Sequence, residues 1–225
     1  MLPFKQGAIK EWRKFVLESD RMCQVLQDID RWPYTILPCK PDIFNAFRML
    51  YPHEVRVVMV AQSPYPGYCS ATQIPYACGP AFVPAPGCAT TPAALSSVVL
   101  EVSRNLSKKT TKPPRNVLFS WIEQGVLLLN ASLTLGKNCP KYLENHSVLW
   151  EEVMRNILSK ISSEFDPIFV LIGKDAWKFE SCVQTVIKVS HPVAKKDTST
   201  PWKGSCVFSD VCDLMIEKGE MPIIF

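Results

Sequence analysis

Four short apolar runs constrain this chain more than any other feature of it. They are VRVVMV (55–60), VLLL (126–129), IFVLI (168–172) and VIKV (186–189). Each is rich in β-branched or leucine side chains and none alternates with polar residues, the pattern of strands covered on both faces. Helical spacing separates most of them. Met22, Val25, Leu26 and Ile29 share one face of a helix starting near Ser19, and Ile43, Phe44, Phe47 and Leu50 mark a second. A third follows Pro92 through Leu95, Val98, Val99 and Val102. A long fourth contains Leu149, Val153, Ile157, Leu158 and Ile161, and a last one Val211, Leu214 and Met215. Strand alternating with helix predicts a three-layer α/β/α sandwich around a central four-stranded, mainly parallel sheet.

The composition agrees with such a fold. With 225 residues, 47% hydrophobic and 20% charged, the chain can bury a sizeable core and is too apolar for disorder. One domain over residues 1–225 is expected, its first 35 or so residues forming a helical extension. No apolar run nears the roughly 18 residues of a membrane span, and MLPFKQGAIKEW has no secretory character. An intracellular protein without a membrane partner is expected. The nine cysteines are an odd number in a chain of this size and include no C-x-x-C pair, so reduced, packed thiols are expected rather than disulfides or a metal site. The net charge of +4 permits a polyanionic partner. Its lysines cluster at Lys108, Lys109 and Lys112 with Arg115, and again at Lys195, Lys196 and Lys203; solvated loops and nucleic-acid contact both fit.

In an open parallel sheet, ligands bind beyond the carboxyl ends of the strands. Here those ends lead into Gln62 and Ser63, Asn130, Gly173 and Lys174, and Ser190 and His191, so hydrogen-bonding groups from all four strands converge on one edge. The first strand also opens into residues 63–92, rich in Pro, Gly, Ala and Cys and without period; a segment of that length is usually a functional loop. No glycine-rich phosphate loop is present, which argues against a nucleotide-binding α/β protein.

Several of these segments resemble family-1 uracil-DNA glycosylases. AQSPYPG (61–67) is similar to the family's GQDPYHG, EQGVLLLNASLTL (123–135) to its segment around the second strand, CGPAF (78–82) to its uracil-stacking loop, and SHP (190–192) to its histidine loop. KGSCVFSDVCDLM (203–215) and the PIIF end resemble its last helix and tail. PYP, LIGKDAW and HPVAKKD are similar to poxviral versions.

The resemblance implies that the chain flips uracil out of single- or double-stranded DNA and hydrolyses its N-glycosidic bond, without metal or cofactor. It implies that Asn130 reads uracil O4 and N3–H, that Phe82 stacks on the base, that Tyr65 excludes a 5-methyl group, and that Gln62 supplies main-chain and side-chain donors. His191 would donate to O2 as charge develops there, and Pro92, Lys174, Ser190, Lys195 and Lys196 would meet the DNA backbone. Where the family has its general-base aspartate, this chain has Ser63. Loss of a general base typically costs roughly 10²–10⁴ in rate. Family serines at the DNA backbone are matched by Ala94, Lys174 and Val193, and the leucine that fills the vacated stack aligns near Lys195. A slowed glycosylase is therefore expected, acting in base excision repair in a nucleus or at a viral replication site. The alternative is a glycosylase-fold DNA scaffold serving a DNA polymerase through a processivity partner.

Overall fold

The computed structural model describes residues 2–106, 116–137, 142–194 and 199–225. In chain order the elements are α1 (Ala8–Trp12), a π-helical turn (Arg13–Leu17), α2 (Asp20–Asp30), β1 (Thr35–Leu37), β2 (Val57–Ala61), α3 (Ala93–Asn105), α4 (Asn116–Glu123), β3 (Val126–Asn130), β4 (Leu135–Lys137), α5 (Tyr142–Phe165), β5 (Ile168–Ile172), α6 (Lys174–Trp177), β6 (Val186–Val189) and α7 (Val207–Glu217). Short 3-10 turns fill several connections, among them Lys40–Asp42 and Asn45–Arg48. No helix among the described residues is long and apolar enough to cross a membrane.

The four apolar runs form one sheet in the order β3-β2-β5-β6, parallel throughout. Every residue of β2, β3 and β5 is buried. Strand β6 differs from expectation: it is an edge, with Lys188 outside and ion-paired to Glu180 at 2.7 Å. A charge on an open edge discourages further strand pairing, so VIKV needs cover on one side only.

The strand order also distributes the helices. The chain moves one way along the sheet from β2 to β3 and back the other way from β3 to β5. Right-handed crossovers therefore put α3 and α4 on one face and α5 on the other. Helix α7 packs on α3 and against β5 and β6. Because the connections after β2 and β5 leave in opposite directions, a crevice opens between the carboxyl ends of those two strands.

The second helix of the sequence pattern is not one. Residues 40–48 form two 3-10 turns instead of the continuous helix that Ile43, Phe44, Phe47 and Leu50 suggest. Pro41 starts the first turn, and Asn45 is used sideways: its Nδ2 donates to the Asp42 carboxylate at 2.8 Å and to the Cys78 carbonyl at 2.9 Å. Two further elements escaped the pattern, α4 and the antiparallel β1–β4 pair, which joins residues 35–37 to residues 135–137. The eight described cysteines are free thiols.

Helix α3 is tied to α7 by a buried carboxylate. Glu101 is wholly enclosed, yet accepts from Arg104 (3.1 Å), Asn105 (3.1 Å) and the Gly204 N–H (3.0 Å). Asn105 in turn donates to the Ser205 carbonyl at 2.7 Å and accepts the Phe208 N–H at 3.2 Å in the first turn of α7.

Candidate active site

The carboxyl ends of β2, β3 and β6 and the 63–92 loop enclose a cavity of about 300 Å³, at the lower end of the size range of small-molecule sites. Gln62, Ser63, Tyr65, Phe82, Asn130 and His191 all line it, as do Pro92, Ala94 and Val193. Lys174 stands exposed at the start of α6, and Ser190 is buried at the end of β6. Lys195 and Lys196 lie outside the described residues, as does the basic cluster Lys108, Lys109, Lys112 and Arg115.

The β2–β3 pairing sets the floor. Ala61 is in register with Asn130, and the ladder runs on past both strands through Ala131 N–H to Ala61 O (2.7 Å) and Ser132 N–H to Gln62 O (3.2 Å). The Asn130 side chain is 3% exposed, and no described residue hydrogen-bonds to its amide. The amide is open to the cavity, where a ligand or water can complete it. Its donor and acceptor, side by side in one plane, suit a partner with the reverse pair.

The aromatic wall is held by backbone. Gly79 has φ +112°, and a Cβ there would lie 2.4 Å from the Asp42 carbonyl, so no other residue type fits without a shift. The Ala81 N–H donates to Leu128 O at 3.2 Å, pinning the loop to β3. Phe82 then takes a left-handed conformation, φ +63°, unusual for an aromatic residue and typical of strained functional sites. Its carbonyl accepts from the Tyr65 hydroxyl at 3.0 Å. Burial pushes the Tyr65 phenol well above its ordinary range, keeping it a neutral donor.

His191 sits against Gly173, whose missing side chain allows the approach: a Cβ on Gly173 would be 3.3 Å from that of His191. The Val193 N–H points to Nδ1 at 3.4 Å, a long contact that favours the tautomer with its proton on Nε2. Burial lowers the His191 pKa, and Asp175 opposes this. The Trp177 indole N–H donates to both Leu171 O (3.1 Å) and Val189 O (3.2 Å), clamping the tips of β5 and β6 beside it.

Two further features bear on the chemistry of the site. The Gln62 side-chain donor, expected beside a base, is directed to the Asp175 carboxylate, with Nε2 2.6 Å from Oδ2. No carboxylate lines the cavity among the described residues. The roles of Asp175 and Trp177 went unnoticed in the sequence; the only available signal was a carboxylate three residues beyond a strand end. His146 lies wholly buried away from the cavity lining. His53 is exposed, 3.7 Å from Glu11.

Together the fold and site define a class: an α/β/α protein with a cavity at the carboxyl ends of a parallel sheet, between an amide edge, an aromatic wall and a histidine. Known proteins narrow this. The chain is 31% identical to a uracil-DNA glycosylase of Desulfitobacterium hafniense over 98% of its own length and 90% of that protein's. It is 32% identical to one of Lacticaseibacillus casei (84% and 79%) and 27% identical to one of human herpesvirus 7 (86% and 77%). Among solved structures it shares the fold of mimivirus uracil-DNA glycosylase, with a TM-score of 0.81 at 23% identity over 99% of this chain and 87% of that one. No family model matches. The chain belongs to the uracil-DNA glycosylase family.

Proposed function

We propose that this chain binds a uracil flipped from DNA in the cavity and hydrolyses its N-glycosidic bond slowly. The unspent Asn130 amide, open to the cavity, supports this most directly. Its acceptor suits uracil N3–H and its donor suits O4. Phe82 stacks on the ring, a contact worth roughly 1–3 kcal/mol per base in single-strand binders. Tyr65 fills the space a 5-methyl group would need, which turns thymine away. His191, neutral and protonated on Nε2, donates to O2 as the uracil leaves with negative charge. A fixed donor aimed at developing charge contributes roughly 2.7–4 kcal/mol in comparable sites. Water attacks C1′ of the sugar beside Ser63, whose hydroxyl can orient it but neither takes its proton readily nor offsets the positive sugar. Lys174, Lys195, Lys196, Pro92 and Ser190 meet the DNA backbone, and the lysines make that binding salt-sensitive.

The family-1 type and a position near the poxviral branch follow, on this reading, from the PYP, LIGKDAW and HPVAKKD segments. The same reading includes a single domain with a helical N-terminal extension and work in a nucleus or at a viral replication site. A second reading is favoured by the cavity having no carboxylate among its described lining: a glycosylase fold kept as a DNA-bound scaffold for a polymerase processivity partner. Single-turnover excision of uracil from a labelled oligonucleotide separates the two. Weak cleavage is expected from the wild type, a gain of roughly 10²-fold or more from Ser63→Asp, and loss with Asn130→Ala. An inert wild type that Ser63→Asp does not revive would leave the scaffold reading.

A further inference from the structure

Asp175 is a charged group that the proposed reaction does not yet use. It is the third residue after β5, on the far side of the β2–β5 crevice from Gln62, 113 positions away in sequence. Its Oδ2 lies 2.6 Å from Gln62 Nε2, the length of a strong charge-assisted hydrogen bond. A carboxylate accepts and cannot donate, so the amide nitrogen must be the end facing it. The Gln62 main-chain carbonyl is meanwhile held by the Ser132 N–H at 3.2 Å. Gln62 is thus fixed at both backbone and side chain, with its Oε1 unclaimed by any described residue.

Among the described residues Asp175 has one loose ion pair, to Lys178. Lys178 is 3.8 Å from Asp175 and an equal 3.8 Å from Glu151, with both partners partly exposed, so it neutralises neither closely. Lys174 next to it is exposed to solvent. Among the described residues Asp175 is also the side chain whose charge acts on His191, favouring the protonated ring against the effect of burial.

We propose that Asp175 is a positioning residue for uracil excision, holding the Gln62 amide and contributing, from behind the cavity wall, negative charge that Ser63 does not supply. The inference rests on the excision reading above. A positive sugar forming in the cavity would feel that charge through the half-buried Gln62, where Coulomb interactions are stronger than in bulk water.

Asp175→Asn separates charge from shape, because the Asn side-chain oxygen can still accept from Gln62. Single-turnover excision from a uracil-containing oligonucleotide would be compared for Asp175 and Asp175→Asn, each with Ser63 and with Ser63→Asp. Binding would be followed with an oligonucleotide whose 2′-fluorinated deoxyuridine resists cleavage, and His191 by its ring NMR signals against pH. With Ser63, Asp175→Asn should slow excision by about tenfold and leave binding within about twofold. With Ser63→Asp, the same change should cost under about twofold, because a carboxylate then stands in the cavity itself. His191 should titrate at lower pH in both Asp175→Asn proteins. Equal losses in the two backgrounds, no loss in either, or a loss carried by binding would overturn the proposal. An inert wild type would overturn the excision reading, and the proposal with it, whereas an active wild type with any of those results would overturn the proposal alone.

Discussion

Acidification should weaken this fold through one buried histidine. His146, near the start of α5, is wholly enclosed, with its Nδ1 2.8 Å from Thr134 Oγ1 and its ring edge-on to Trp32 at 4.8 Å between centroids. Thr134 Oγ1 also accepts the Trp150 indole N–H at 2.6 Å. Among the described residues His146 Nε2 has no partner, and burial lowers the pKa to about 4 from an ordinary 6.5. Above pH 6.5 the ring is neutral in both folded and unfolded chains, so its full contribution to stability is present. As pH falls, the unfolded chain takes up a proton near 6.5 while the folded protein resists until about 4. Stability is lost across that window at about 1.4 kcal/mol per pH unit, or roughly 3 kcal/mol in all. Urea unfolding at half-unit steps from pH 7.5 to 4 would measure it, for the wild type beside His146→Gln. The variant should start less stable, having lost a packed ring, but its curve should be flatter by about that amount. Parallel curves for the two proteins would refute the reasoning. His191 shifts in the same direction and remains in both, so it cancels from the comparison.

Three further outcomes are expected. Glu101→Ala should cost roughly 2–4 kcal/mol in thermal unfolding, because three donors lose a buried acceptor, and Glu101→Gln should recover part of it. Gly79→Ala should destabilise by roughly 2–4 kcal/mol and weaken uracil-DNA binding, since the new methyl meets the Asp42 carbonyl and moves the loop that carries Phe82. Excision should persist below pH 6.5 and fall only on further acidification, as His191 is needed neutral and burial lowers its pKa; a rate that rises through pH 6 to 5 would contradict that.

What the sequence made legible was what continuous apolar runs encode. All four strands were readable to within two residues, and with them the edge on which Gln62, Ser63, Asn130 and His191 meet, because a parallel sheet collects its strand ends on one side. The resemblance then brought in Tyr65 and Phe82, which no periodicity marks. Residues 43–50 misled because helical spacing over two turns is also what two 3-10 turns produce when an asparagine between them is needed elsewhere. The β1–β4 pair is three residues long on each side, too short for an alternating pattern to register. Asp175 was out of reach for a different reason: its partner is 113 residues away, and only the folded sheet brings the two together.

The ladder that continues past β2 and β3 has a consequence for how such a protein changes over time. Asn130 stands on that ladder with its neighbours bonded across it, while Ser63 sits one step beyond, in the loop. The residue that would read the base is inherited with the sheet. The residue that would activate water can drift by a single codon without loosening the floor beneath it. Selection can therefore turn such a site from turnover to retention, and back again, without rebuilding what it holds.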